Sequence, residues 1–227
     1  MFNIFKKKKK HLHAMNVNSN TRSNGEELEL AVSRAFKEHY ENLGEPVYVK
    51  RGLYLYTNDL SDIQQIDVLG ICKKGIFVIE CKDYFGTIEL YDGKYWHKTT
   101  NVSGKPDDVD WQPVFKWFYS PIIQNEGHIS LMRKIFDSDN KLNIRNMIVF
   151  GQRSTLQVAK GEESVTNKAS ICNFSMFPKM LDLADETFPD TIDVEGCGKI
   201  IDEYYSNTPD YIKDIHLKRA NIAADAI

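Results

Sequence analysis

The sequence predicts an α/β fold in which helices flank a central mixed β-sheet. Three observations lead there. Apolar residues recur at helical spacing in Leu28, Val32, Ala35, Phe36 and Tyr40, then give way to short strand-like runs from Val47 onward. Two of those runs, "QIDVLGIC" and "GIFVIECK", are apolar on both faces, as befits strands covered from both sides. Helical spacing returns in Ile122, Ile123, Leu131, Met132, Ile135 and Phe136, and again in the C-terminal third.

Each element has a local reason. The first helix starts at Ser23 or Asn24, either of which can cap it. Gly44 and Pro46 in "ENLGEP" stop it. "VYVKRGLYLYT" reads as a strand, and the two apolar runs follow as a hairpin around Lys73 and Lys74. "GTIELYDGKYWHK" makes a second hairpin at Asp92-Gly93, a strong turn signal. A polar loop runs from about 100 to 112. Ser120 then offers a capping hydroxyl, and Pro121 suits the first helical position. "RNMIVFG" and, more weakly, "SICNFSMF" read as strands, with helices near 177–185, 194–206 and 209–224.

A chain of 227 residues can build one sizeable core. No apolar run approaches the roughly 20 residues that cross a bilayer, and the N-terminus lacks the pattern of a signal peptide. The expected location is cytoplasmic. Cys72, Cys81, Cys172 and Cys197 show no close spacing, which argues against a zinc knuckle or a disulfide framework and for reduced, buried thiols.

Charge is unevenly spread. Lys6 to Lys10 are consecutive; without those five, 24 of the 29 Lys and Arg remain against 32 Asp and Glu, a net −8. An acidic body does not suggest broad gripping of polyphosphate. Residues 1–20 read as a disordered polybasic tail that can rest on nucleic acid or on an anionic membrane surface. Phe2, Ile4 and Phe5 beside the lysines favour lipid, which would make the protein membrane-peripheral.

The first hairpin carries chemistry. Along "GIFVIECK" the residues Ile76, Val78, Glu80 and Lys82 share one face, and Phe77, Ile79 and Cys81 the other. Glu80 and Lys82 therefore emerge together at the carboxyl end of the strand, where open α/β sheets place their sites. A two- or four-residue turn centred on Lys73-Lys74 sets Asp67 opposite Glu80, with Cβ atoms roughly 5 Å apart, whereas a three-residue turn would not. Two carboxylates at that distance repel unless something positive lies between them. Lys82 supplies one charge, and a divalent ion held by hard oxygen ligands would supply the rest.

These residues resemble the nuclease-related domain (NERD) family, a branch of the PD-(D/E)XK nuclease superfamily. The resemblance rests on Asp67, the spacing of 13 to Glu80, Lys82, Gly86-x-Ile88 and Trp96, and on "SPIIQNEGHISLM", where Ser120 replaces the family's Asn. In the first helix, Gly25, Glu29, Val32 and Phe36 fit the family pattern, with Leu28 in place of a second Gly. The resemblance implies a restriction-endonuclease-like core and a Mg²⁺- or Mn²⁺-dependent nuclease acting on DNA rather than RNA. It implies that Asp67, Glu80 and the Cys81 carbonyl hold the metal, that Lys82 orients a water or offsets charge, and that Glu29 and Gln124 complete the catalytic set. Glu26 stands as the alternative to Glu29. His128, four residues after Gln124, reads as a packing or surface histidine, and Trp96 as a core or edge aromatic. No small-molecule cofactor is expected.

The expected organisation is thus a tail (1–20), a nuclease-like domain (21–155), and a C-terminal strand and helices (156–227) packing on the same domain. "GCGK", residues 196–199, hints at a phosphate loop but lacks its first Gly and its Ser or Thr.

Overall fold

The computed structural model describes residues 24–101, 113–137 and 141–225; the polybasic tail and most of the loop expected at 100–112 lie outside them. Helix α1 (Asn24–Asn42) precedes strands β1 (Val47–Tyr56), β2 (Ile63–Cys72), β3 (Gly75–Lys82), β4 (Gly86–Leu90), β5 (Tyr95–Asn101) and β6 (Pro113–Tyr119). Helix α2 (Pro121–Phe136) follows, then β7 (Ile144–Phe150), β8 (Ser154–Val158) and β9 (Ser170–Asn173). Helices α3 (Phe177–Thr187), α4 (Val194–Ser206) and α5 (Tyr211–Asp225) complete the described chain.

The strands form two sheets. The larger is mixed, in the order β1-β2-β3-β7-β9, with β1, β2 and β3 antiparallel and β3, β7 and β9 parallel. One face packs on α1 and α3 through Val68, Phe77, Ile79, Phe36 and Leu181. The other packs on α2 and α4 through Leu69, Ile76, Val78, Leu131 and Ile201. The division of β3 between its two faces is the one its alternation predicts. Burial of both faces is what permits an almost wholly apolar strand, and a Cβ at Gly70 would lie 2.6 Å from the Phe36 ring, so that ring seats on β2 only over a glycine.

The smaller sheet, β6-β5-β4-β8, was not foreseen as a separate layer. Its joint to the larger sheet is simple. Strands β3 and β7 lie parallel, and each continues directly into the parallel pair β4 and β8. The Lys82 carbonyl sits at the parting, accepting from the Tyr84 and Gly151 amides, each at 3.0 Å. A third cluster, Ile88, Trp96, Ile148 and Phe150 among it, fills the angle between the sheets. Trp96 is fully buried there.

Two local expectations changed. Ser120 makes no side-chain cap on α2; the residue is buried, its amide donates to the Lys94 carbonyl, and its own carbonyl takes the Gln124 amide. "SICNFSMF" is a strand only to Asn173, after which the chain turns into a short 3-10 helix and α3. The "GCGK" stretch is simply part of α4, whose N-terminus is capped by the Asp193 side chain accepting from the Gly196 amide.

Candidate active site at the joint of two sheets

The last residues of β3 meet the first turns of α2. Glu80 is 1% exposed. Lys82 Nζ donates to Glu80 Oε1 at 2.5 Å and to Gln124 Oε1 at 3.1 Å. Glu80 Oε2 has no hydrogen-bond partner; the closest ring nitrogen, His128 Nδ1, is 3.6 Å away. Behind them Asn125, wholly buried, donates through Nδ2 to the Val78 carbonyl at 2.7 Å and to Asn146 Oδ1 at 2.8 Å. Its Oδ1 lies 3.2 Å from His128 Nδ1, so the proton of a neutral His128 ring belongs on Nδ1. Asn125 thereby ties α2 to the adjacent central strands β3 and β7, one residue from Gln124.

Asp67 comes from β2 at an irregular point. The β2–β3 ladder has the predicted register, Cys72 opposite Gly75, and its last pair is Val68 with Ile79. One step further, Asp67 turns its Oδ2 onto the Cys81 amide, which donates at 2.9 Å. On its other side the β1–β2 ladder passes from Arg51–Val68 to Leu53–Ile66 and omits the pair Gly52–Asp67. Gly52 has φ +60°, a left-handed conformation that a Cβ resists. Glu29 of α1 stands half-buried near this end, close enough to feel the charges of Asp67, Arg51 and Lys82.

The electrostatics follow from crowding three carboxyls into a largely buried corner with one lysine. Burial, then the Glu80 charge, pushes the Asp67 carboxyl up to about 7. Burial, then the Asp67 charge, pushes Glu29 up to about 7 as well. Burial raises Glu80, and the Lys82 charge opposes it only in part. For Lys82, burial works against the ammonium, but the Glu80 and Asp67 carboxylates outweigh it and hold the group above the ordinary lysine value. His128 is lowered to about 4, by burial first and then by the charge of Lys82, so its ring is neutral at neutral pH. The carboxyls lack enough positive charge, and the lysine cannot give up what it has.

Glu29, Asp67, Glu80, Cys81, Lys82 and Gln124 are thus gathered at one place. Among the described residues, no three His, Cys, Asp or Glu side chains form a ready metal-binding cluster. The residues nonetheless fit a hard divalent ion in kind: two carboxylates and a main-chain carbonyl are all oxygen donors, and Glu80 carries a buried oxygen without a partner. A cavity of about 890 Å³ lies elsewhere, lined by Arg133, Arg145, Lys168 and Phe188 among others, and includes none of the six.

Asn125 and the buried placement of His128 against Glu80 were missed from sequence. The spacing of Gln124 and His128 put both on one helical face, but nothing local says which strand that face meets.

No curated protein and no solved structure matches the chain. Residues 24–151 match the nuclease-related domain family, and that span runs from the first helix to the residue just after β7, taking in every residue gathered at the joint. The match covers more than half of the sequence, so the chain belongs to the nuclease-related domain (NERD) family.

Proposed function

We propose that this nuclease-related domain is a divalent-metal-dependent nuclease that hydrolyses phosphodiester bonds of DNA. The observation that supports it best is Glu80. Its Oε2 is buried and unpartnered while Asp67 approaches the next residue of the same strand and Lys82 holds the other oxygen. The Lys82–Glu80 pair thus leaves one buried carboxylate oxygen available to a cation.

Asp67, Glu80 and the Cys81 carbonyl would hold Mg²⁺ or Mn²⁺, which when bound lowers the pKa of a water and offsets charge on the scissile phosphate. The chain's own groups do the rest. Lys82, kept charged by Glu80 and Asp67, donates hydrogen bonds and cannot act as a base; it orients the attacking water or stabilises negative charge as that charge develops. Gln124 fixes the Lys82 ammonium from the α2 side. Glu29, with a pKa pushed up to about 7, is placed to hold a proton near the Asp67 carboxylate or to release it as a cation arrives. The neutral His128 and Asn125 seat α2 behind Glu80.

The test is incubation of purified protein with single- and double-stranded DNA and RNA, with Mn²⁺, Mg²⁺ or EDTA, beside Glu80→Ala/Lys82→Ala. Cleavage of DNA that needs metal and disappears in the variant is the expected result. If no lane shows cleavage and calorimetry shows no metal binding, the nuclease reading is wrong, and a nucleic-acid-binding or membrane-tethered module replaces it.

A further inference from the structure

The outer face of the β5–β6 ribbon is a row of rings in water. Among the described residues, β6 is one of the two edge strands of its sheet. Phe115, Trp117 and Tyr119 alternate onto one face, with Tyr95 of β5 opposite Tyr119, and they are 59%, 56%, 40% and 47% exposed. The row is held before anything binds. His97, buried beneath it, stacks on Phe115 with centroids 5.0 Å apart and lies 4.9 Å from Trp117. Glu89 anchors His97 Nδ1 at 3.1 Å and accepts the Tyr91 hydroxyl at 2.8 Å. A contiguous exposed apolar surface of this kind marks a binding face.

The opposite face of the same ribbon packs inward through Trp96 and Phe118 and, farther along, carries two lysines. Lys98 and Lys116 are paired directly across the ladder, and neither has a carboxylate partner among the described residues. Like charges so placed are destabilising without an anion between them. Lys98 Nζ lies 4.3 Å over the ring of Tyr84, two residues from Lys82. Along β6 the exposed Lys116 thus stands between Phe115 and Trp117 in the chain but points to the face opposite their rings.

A partner that satisfies both faces needs flat π surfaces and regularly spaced anions. Unpaired bases on a phosphate backbone have both, whereas a duplex hides its bases. We propose that the β5–β6 ribbon is a stacking platform for single-stranded nucleic acid, leading the strand toward Lys82. The ribbon is tied to the site at both ends, through β4, which begins at Gly86 just after Lys82, and through β6, which runs into Ser120 and the helix of Gln124. The fate of the strand rests on the nuclease reading above; its binding does not.

The experiment is fluorescence anisotropy in EDTA with a labelled oligothymidylate and a duplex of the same length. The wild-type protein is expected to bind the single strand more tightly. Phe115→Ser/Trp117→Ser, at exposed positions, is expected to lose about tenfold or more of that affinity. Lys98→Ala/Lys116→Ala is expected to lower the slope of log affinity against log salt by about 1.4, as two phosphate contacts require. Equal binding by the ring variant overturns the proposal, as does a preference for duplex or no binding by wild type. A dimer that the ring variant dissociates without change in oligonucleotide binding also overturns it, making the face a contact between copies. Because no metal is present, an inactive enzyme would leave these outcomes unaffected.

Discussion

Lys82 and Glu80 should be coupled far more strongly than a surface ion pair, and a double-mutant cycle measures this. Their contact is 2.5 Å, and the two side chains are 18% and 1% exposed. At that distance, an effective dielectric constant of about 20 gives roughly 6–7 kcal/mol of attraction, much of it offset by desolvation. A net coupling of about 2–3 kcal/mol remains, at the upper end for contacting pairs. The single variants should differ. Lys82→Met strands a carboxylate that cannot reach water and should cost about 3 kcal/mol or drive Glu80 to take a proton. Glu80→Gln leaves a partly solvated lysine that keeps its Gln124 contact, at a cost of about 1 kcal/mol. Urea unfolding in EDTA near neutral pH gives all three free energies and that of the double variant. Additivity within about 0.5 kcal/mol, the behaviour of exposed pairs, would refute the burial and charge of this contact.

Three other outcomes are expected. In metal-free protein, Asp67 keeps its proton to about 7 when folded but to about 3.8 when unfolded, so the folded state binds more protons in that window. Stability therefore falls as pH rises from about 4 to about 7, and Asp67→Asn should be the more stable protein at about pH 8 by up to about 4 kcal/mol. Thermal melts in EDTA at about pH 5 and about pH 8 check this, and an unchanged gap between the two pH values in the variant would count against it. Gly52→Ala, at φ +60°, should cost about 1–2 kcal/mol and slow the proposed phosphodiester cleavage, whereas Gly93→Ala, with open space around it, should do neither; melts and initial rates of the two variants decide. Asn125→Ala leaves the Val78 carbonyl and Asn146 short of a donor and should cost about 2 kcal/mol, read as a melting point lower by about 4–8 °C.

Much of this arrangement was legible because it is local or periodic. The face of α1 follows from Leu28, Val32, Phe36 and Tyr40, all of them buried against the sheet. The register of the β2–β3 hairpin follows from a turn of two lysines, and with it the approach of Asp67 to the end of β3. What stayed hidden is long-range or lacks contrast. In "PVFKWFY" both faces of β6 carry rings, Phe118 packed inward and Phe115 and Trp117 outward, so no alternation of polarity announces a strand. β8 is five residues long and is held by a parallel pairing with β4, some 68 residues earlier in Gly86–Ser154, which no local pattern encodes. Asn125 is buried only because Val78 and Asn146 come from elsewhere in the chain to meet it.

The one place where periodicity itself breaks is at Asp67. In β1, Val47 and Val49 face α1 while Tyr48 faces the opposite layer, yet beyond Gly52 it is Leu53 and Leu55 that face that opposite layer. β2 does the same: Val68 and Cys72 pack toward α1, Leu69 and Ile71 away from it, but Ile66 is also turned away. Both strands exchange faces between the flanking pairs Arg51–Val68 and Leu53–Ile66, so neither Gly52 nor Asp67 is held in the ladder. A regular strand would commit residue 67 to one buried face and demand an apolar side chain there. The kink releases it, and the freed carboxylate can reach the Cys81 amide beside Glu80. The left-handed glycine and the raised carboxyl are therefore one feature: a kink that only glycine adopts without cost in β1 is what allows an acid to stand beside Glu80 in an otherwise apolar sheet.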